Sequence, residues 1–166
     1  MRKTNIYSVN QQIALVALRI LIGWHLLYEG LLKLMTPHWS SVGFLNESKW
    51  IFSGISKWIV LHSGILTVVD FLNIWGLIAI GAGLILGLFT RVAAISGAIL
   101  LFTYYLNNPP LIGLEFAIPT EGNYLIVSKT LIESLTLVAL AVFPSGLFAG
   151  LDIFVNRFMF RYSKLV

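Results

Sequence analysis

Four ionisable residues lie within one apolar stretch near the start of the chain. The stretch is Ala14–Met35, ALVALRILIGWHLLYEGLLKLM, and it contains Arg19, His25, Glu29 and Lys33. About 20 mostly apolar residues are enough to cross a bilayer as a helix. A charged group near the middle of such a helix costs at least ~2.5–3.5 kcal/mol. A membrane helix that keeps these four side chains must therefore turn them towards protein partners.

The composition of the whole chain is typical of an integral membrane protein. Its 166 residues are 58% hydrophobic and 11% charged, with a mean hydropathy of +0.88. A soluble core of this length has no use for so much apolar surface, and the length suits one membrane domain over residues 1–166. There is no cysteine, which excludes disulfides, CxxC redox chemistry and thiolate metal ligation by this chain. No metal site is predicted, and the polar start Met1–Gln12 favours a retained first span over a cleaved signal peptide.

The basic residues indicate the orientation of the chain in the membrane. They are scattered and form no basic stripe, so no nucleic-acid binding is expected despite a pI near 9.5. The residues expected inside are Arg2, Lys3, Arg91, Arg157, Arg161 and Lys164, whereas the outer loops carry Lys49 and Lys57. By the positive-inside rule both termini are cytoplasmic, and the expected location is the inner membrane of a prokaryote.

The hydropathy pattern predicts an all-α membrane protein, a bundle of four transmembrane helices. The predicted spans are Ile13–Met35, Phe71–Phe89, Val92–Leu106 and Tyr124–Phe143. The loops Thr36–Asp70 and Asn107–Asn123 then lie outside. Glycines at positions 76, 81, 83, 87 and 97 are interpreted as sites where helix backbones approach closely.

The first outer loop is predicted to contain an interfacial amphipathic helix. This helix is expected over Glu47–Leu61, ESKWIFSGISKWIVL, where large apolar residues recur at helical spacing between polar ones. Its tryptophans would lie at headgroup depth. A lid over the bundle with no chemical role is the alternative interpretation.

The ionisable residues of the first span share one face of its helix. At about 100° per residue, with His25 at zero, Glu29 falls near 40°, Lys33 near 80° and Arg19 near 120°. That face must look into protein. Glu29 and Lys33 lie in the outer third of the span, at ~1.5 Å per residue.

The other spans also bring polar residues to the outer end. These residues are Asp70 and Asn73, Tyr104, Tyr105, Asn107 and Asn108, and Lys129 and Glu133. One interpretation is a structural network of two ion pairs, Glu29–Lys33 and Lys129–Glu133. The other is a functional site, because an ionisable cluster inside a membrane is a functional hypothesis by default. We favour the site.

Several stretches resemble the DoxX family of membrane proteins. They are LRILIGWHLLYEGLLKL (Leu18–Leu34) and GLILGLFTRVAAISG (Gly83–Gly97). The stretch PTEGNYLIVSKTLIESLTLVALAVFPSG (Pro119–Gly146) and the following GLD (Gly150–Asp152) resemble its DoxD branch, the small membrane subunit of thiosulfate:quinone oxidoreductase. The residues that match the family's motifs are Arg19, Gly23, Glu29, Gly30, Lys33, Arg91, Lys129 and Glu133.

The resemblance implies a four-helix membrane subunit of an oxidoreductase complex that passes electrons to membrane quinone. The expected partners are the bilayer and a second protein subunit at the outer face. Association into a homo-oligomer is a further alternative. No redox group is encoded here, so the chain is not expected to act alone, and a quinone is the one cofactor proposed. A non-enzymatic membrane anchor or assembly factor is the first alternative, and a small-solute transporter is the second.

The residues predicted to carry this function all lie in the polar face and at the outer helix ends. Glu29 and Lys33 form the central pair, with Lys129 and Glu133 as their counterparts and His25 as a proton donor to a quinone oxygen. The predicted quinone site consists of Arg19, His25, Tyr104 and Tyr105.

The predicted topology can be tested by cysteine labelling, because the chain has no native cysteine. A single cysteine introduced into Thr36–Asp70 should react with a membrane-impermeant reagent from the outside, and one at Arg91 only after the membrane is opened. Labelling of the loop from the cytoplasmic side alone would contradict the positive-inside assignment.

Overall fold

The computed structural model describes residues 7–111, 113, 123–143, 145–154 and 157, which are mostly helical. The helices are α1 (Val9–Met35), α2 (Val42–Asn46), α3 (Ser53–Leu61), α4 (Ser63–Leu86), α5 (Thr90–Asn107) and α6 (Lys129–Val142), with a 3₁₀ turn at Ser145–Leu147. A short antiparallel pair, β1 (Asn123–Tyr124) and β2 (Val127–Ser128), precedes α6. The predicted inner residues Arg2, Lys3, Arg161 and Lys164, and most of the loop 107–123, lie outside the described residues.

Two of the helices are long and apolar enough to cross a membrane. These are α1, with 27 residues, and α4, with 24 residues. At ~1.5 Å per residue they exceed the ~30 Å hydrocarbon core. By the same measure α5, with 18 residues, spans about 27 Å, and α6, with 14 residues, spans about 21 Å.

Three predicted boundaries are wrong. The second span begins at Ser63 rather than Phe71, because only His62 separates α3 from α4. The last helix begins at Lys129 rather than Tyr124, because the preceding residues form the β1–β2 turn and Ser128 caps α6 by accepting a hydrogen bond from Leu131 N. The amphipathic helix starts at Ser53, not Glu47.

The four longer helices share one apolar core. Helix α1 packs chiefly against α4, α5 packs chiefly against α6, and α4 and α5 join the two pairs. The core side chains are Ile22 and Leu26 from α1, Leu77, Ile80 and Leu84 from α4, Ala93, Ala94, Ala98 and Leu101 from α5, and Leu137, Leu140 and Ala141 from α6. The ionisable residues of α1 are therefore placed relative to three other helices at once.

Glycines allow the backbones of α1 and α4 to touch. A Cβ on Gly81 would lie 2.7 Å from the carbonyl oxygen of Gly23 and would also collide with the backbone of Leu27. A Cβ on Gly30 would lie 2.8 Å from the side chain of Ile78. This close approach confirms the interpretation of Gly81 as a packing residue.

The interpretation of Gly76 as a site of close helix packing is wrong. A Cβ built there would have no heavy atom within 4 Å. Gly83 and Gly97 are tightly packed against neighbouring helices, and Gly87 adopts φ +64° in the turn after α4. The sequence alone could not separate these cases, because a helical glycine looks the same whether or not a partner lies over it.

The segment after α6 closes onto the turn between α4 and α5. The Asp152 carboxylate accepts hydrogen bonds from Phe89 N at 2.7 Å and Thr90 N at 3.0 Å, and Asp152 N donates to Gly87 O at 2.8 Å. The carboxylate thus satisfies backbone N–H groups at the start of α5 that have no partner within the helix. We call this region the turn end of the helices.

The two glycines of α4 form a matched pair for testing the packing. Gly81→Ala should lower the free energy of unfolding by about 1–3 kcal/mol, since the added methyl group collides with α1. Gly76→Ala should leave it unchanged or slightly raised. Thermal unfolding of both variants in the same detergent is the measurement. Equal stability of the two variants would contradict the close α1–α4 contact.

Candidate functional site

His25 joins α1 to α6. Its Nδ1 lies 2.8 Å from Oε1 of Glu133, although that oxygen is out of line for a well-directed hydrogen bond, and its Nε2 lies 4.0 Å from Oε1 of Glu29. The imidazole side chain is 27% exposed, Glu133 is 18% exposed and Glu29 is 44% exposed. An imidazole between two carboxylates can hold a proton and transfer it to either one. We call these three residues the histidine cluster.

Lys33 belongs to a second polar group, one helical turn beyond Glu29. Its Nζ donates a hydrogen bond to Asn73 Oδ1 at 3.2 Å. The same ammonium lies 5.2 Å from the ring centroid of Trp39 and 5.6 Å from that of Tyr104. At these distances the rings attract the cation through their π faces.

Asn73 extends this group to a third helix. Its Nδ2 donates to the hydroxyl oxygen of Tyr104 at 2.6 Å. The hydrogen-bonded series Lys33–Asn73–Tyr104 therefore connects α1, α4 and α5, and we call it the lysine relay. Lys33 follows Glu29 by one turn of α1, so the relay lies next to the histidine cluster along the helix.

The ion pairs predicted from the sequence are not formed. Among the described residues, the basic side chain within 4.0 Å of either Glu29 or Glu133 is His25, in place of Lys33 or Lys129. Lys129 is exposed at the first position of α6. Glu133 faces α1 instead, because α6 is held against α5 by Ser134, whose hydroxyl donates to Ala98 O at 2.9 Å.

The residues predicted as a quinone site do not come together. Arg19 is 2% exposed at the turn end, where Nη2 donates to Ala149 O at 2.6 Å and Nη1 to Ser145 Oγ at 3.4 Å. It lies about 15 Å along α1 from Glu29. The Tyr105 hydroxyl donates to Ile126 O at 2.8 Å and so secures the β1–β2 turn.

A cavity lies beside the lysine relay. It has a volume of about 310 Å³ and is lined by residues of α4, α5 and the segment 36–62. This segment contains α2 and α3 and is called the cap below. Most of its wall is apolar, with Phe44, Ile55 and Leu72 among the lining residues. Its polar lining residues are Ser41, Ser56, Asn73, Thr103, Tyr104 and Asn107. Two members of the relay, Asn73 and Tyr104, thus belong to the cavity wall.

Four hydrogen bonds to two residues, Asp70 and Asn107, fasten the cap over this cavity. Ser41 donates to Asp70 Oδ1 from its backbone N at 2.9 Å and from its hydroxyl at 2.5 Å. Ser56 Oγ donates to Asn107 Oδ1 at 2.8 Å, and Ser48 Oγ to Asn107 O at 3.3 Å. Asp70 and Asn107 are polar residues at the predicted ends of spans. Their position there is the sequence feature that could have indicated these contacts.

The cavity has the composition of an organic-ligand site. Nearly all of its exposed wall is apolar, with polar residues such as Asn73 and Tyr104 among its lining, and apolar walls with few polar groups are typical of small-molecule sites. In the part of the chain that the structure describes, no three His, Cys, Asp or Glu side chains are placed to hold a metal ion.

The fold and the site together define an integral membrane protein of mostly helical structure, with partly exposed ionisable side chains between its helices and an apolar cavity beside them. The DoxX family model matches residues 14–106, which is more than half of the sequence. The chain therefore belongs to the DoxX family. No curated protein and no solved structure matches it. The matched range includes His25, Glu29 and the lysine relay, whereas Glu133 lies beyond it.

The histidine cluster can be tested by a double-mutant cycle. Glu133→Gln and His25→Gln should each destabilise the protein, with a coupling energy of about 0.5–3 kcal/mol, since each removes the other's close partner. Glu29→Gln should couple more weakly with His25→Gln, because its oxygen is farther away. Unfolding in detergent is the measurement, and Lys129→Gln is the control. Stronger coupling of Glu29 to Lys129 than of Glu133 to His25 would contradict the observed arrangement.

Proposed function

We propose that this chain is the membrane subunit of an oxidoreductase complex and binds a membrane quinone in the cavity beneath the cap. The observation that carries the proposal is the position of Asn73 and Tyr104, which belong both to the cavity wall and to the hydrogen-bonded series that ends at Lys33. The resemblance of Pro119–Gly146 to the DoxD branch supports the same assignment.

The size and the apolar wall of the cavity support a quinone ring as its occupant. Its volume of about 310 Å³ is at the lower end of the range of about 300–1,000 Å³ for ligand sites. Its apolar residues suit the ring and the start of an isoprenoid tail, and its polar residues suit the ring oxygens. When bound, a quinone would supply the acceptor for two electrons and two protons. The electrons come from a partner subunit's cofactor or a diffusible reductant, because this sequence encodes no redox group.

Side chains of this protein would take up and release the protons that accompany quinone reduction. The imidazole of His25 lies between the carboxylates of Glu29 and Glu133, and these groups can take up and release protons on one side of the membrane. Glu29 precedes Lys33 by one turn of α1. In this proposal the histidine cluster exchanges the protons, and the lysine relay orients the ligand in the cavity.

The membrane arrangement belongs to the same proposal. Helices α5 and α6 are proposed to lie in the bilayer beside α1 and α4, as a four-helix transmembrane bundle. In support of this, most of their exposed residues are apolar: Val92, Ile95, Ile99 and Phe102 on α5, and Ile132, Leu135, Val138 and Val142 on α6. Both termini are proposed to be cytoplasmic, in the inner membrane of a prokaryote.

The partner subunit is proposed to dock on the cap. Trp50, Ile51, Trp58 and Leu61 are exposed there. Exposed aromatic and aliphatic side chains near the membrane surface can bind either headgroups or a protein. The proposal places the partner over them, so that its cofactor faces the cavity.

A membrane anchor or assembly factor without redox activity is the alternative function. The contact of His25 with Glu133 favours it, because α1 and α6 touch little elsewhere and the pair could serve only to hold them together. Breaking such a partly buried pair is costly by itself. Purification in mild detergent followed by mass spectrometry separates the two functions: a stable partner without quinone supports the anchor, and a partner with quinone supports the redox subunit.

Filling the cavity should abolish quinone binding. Ile55 lines the cavity, so Ile55→Trp should raise the Kd for decylubiquinone at least tenfold, which corresponds to about 1.4 kcal/mol. Ile51 is exposed and does not line the cavity, so Ile51→Trp is the matched control. Binding is measured in nanodiscs, with thermal unfolding as the test of folding. Unchanged affinity in a folded Ile55→Trp protein would overturn the cavity as the quinone site.

A further inference from the structure

The lysine relay has a fixed hydrogen-bond direction. An ammonium group can only donate, so the Asn73 amide must turn its oxygen towards Lys33 and its NH₂ towards Tyr104. The Tyr104 oxygen is thereby an acceptor. Among the described residues this is the one hydrogen bond at that hydroxyl, and its own proton remains available to donate.

We propose that the Tyr104 hydroxyl donates a hydrogen bond to a carbonyl oxygen of the ligand in the cavity, with Asn73 and Lys33 as positioning residues. This inference rests on the proposed function for the presence of a ligand, and it specifies which atom of the protein recognises which group of the ligand. Tyr104 and Asn73 both line the cavity, and the Tyr104 ring is held between Phe44, at 5.6 Å between ring centroids, and the Lys33 ammonium.

The relay selects an acceptor rather than a donor on the ligand. Each residue donates a hydrogen bond to the next, from Lys33 to Asn73 to Tyr104. The series therefore ends in the O–H donor of Tyr104. Hydrogen bonds in such a series polarise one another, and the positive charge at the far end of the series strengthens the last donor. The expected ligand is therefore an apolar molecule with an acceptor oxygen, such as the carbonyl oxygen of a quinone.

An ester carbonyl of a phospholipid offers the same chemistry. The quinone is the occupant proposed here, because the cap is fastened over one side of the cavity by the contacts Ser41–Asp70 and Ser56–Asn107 and the largely apolar wall suits a ring better than a headgroup. Reconstitution into ether-linked lipids, which lack ester carbonyls, removes the lipid as a source of the signal.

The test uses the full-length protein in ether-lipid nanodiscs with decylubiquinone carrying heavy carbon at its carbonyl groups. Infrared difference spectra report the carbonyl stretch, which falls in frequency on hydrogen bonding. Tyr104→Phe keeps the ring and its packing and removes only the hydroxyl. It should return the carbonyl band towards the position of free quinone and weaken binding about five- to tenfold. Tyr105→Phe, whose hydroxyl bonds Ile126 O away from the cavity, should leave the band unchanged.

The positioning residues have their own readout. Lys33→Met removes the donor that orients the Asn73 amide, so the carbonyl band should broaden and shift partway towards the position of free quinone. Lys33→Arg keeps a donor and should restore the wild-type band. Quinone that binds with the same band in the Tyr104→Phe and wild-type proteins would overturn this inference and leave the proposed function standing. Absence of quinone binding to the wild-type protein would overturn the proposed function as well.

Discussion

The contact between α1 and α4 fixes where every ionisable side chain of α1 can go. At Gly81 the backbone of α4 lies against Gly23 and Leu27 of α1, so close that a methyl group would collide. On the helical wheel this contact lies roughly opposite His25. The remaining protein-facing side of α1 therefore meets α5 and α6, and exposed side chains such as Trp24 complete the circumference.

This placement separates the polar side chains of α1 into two groups. The sequence, with its balanced charges at one end of the helices, indicated a single cluster. His25 and Glu133 meet across α1 and α6, whereas Lys33 reaches Asn73 on α4. Both arrangements place a costly polar side chain against a partner in an otherwise apolar protein. Glu29 lies between them on α1, one turn from His25 and one turn from Lys33. The polar face of α1 is thereby divided into a group suited to proton exchange and a group suited to orienting a ligand.

Much of the fold could be predicted from hydropathy and glycine content, because α1 and α4 are long and apolar. The start of α6 could not, since Tyr124 belongs to the short β1–β2 pair, whose turn accepts a hydrogen bond from the Tyr105 hydroxyl on α5. The pairing of Glu133 with His25 rather than Lys129 was also missed. Helical spacing brings Lys129 and Glu133 onto one face but does not show which face turns towards α1.

The cavity could not be read from the sequence at all, because it exists only where the cap folds back and is fastened by Asp70 and Asn107. The most direct test of its role is photo-crosslinking with an azido-quinone in membranes that contain the protein, followed by peptide mapping. The account predicts crosslinks at residues such as Ile55, Leu72 and Thr103, which an excess of unmodified quinone suppresses. Crosslinks spread over the exposed apolar faces of the helices, and not suppressed by competition, would contradict it.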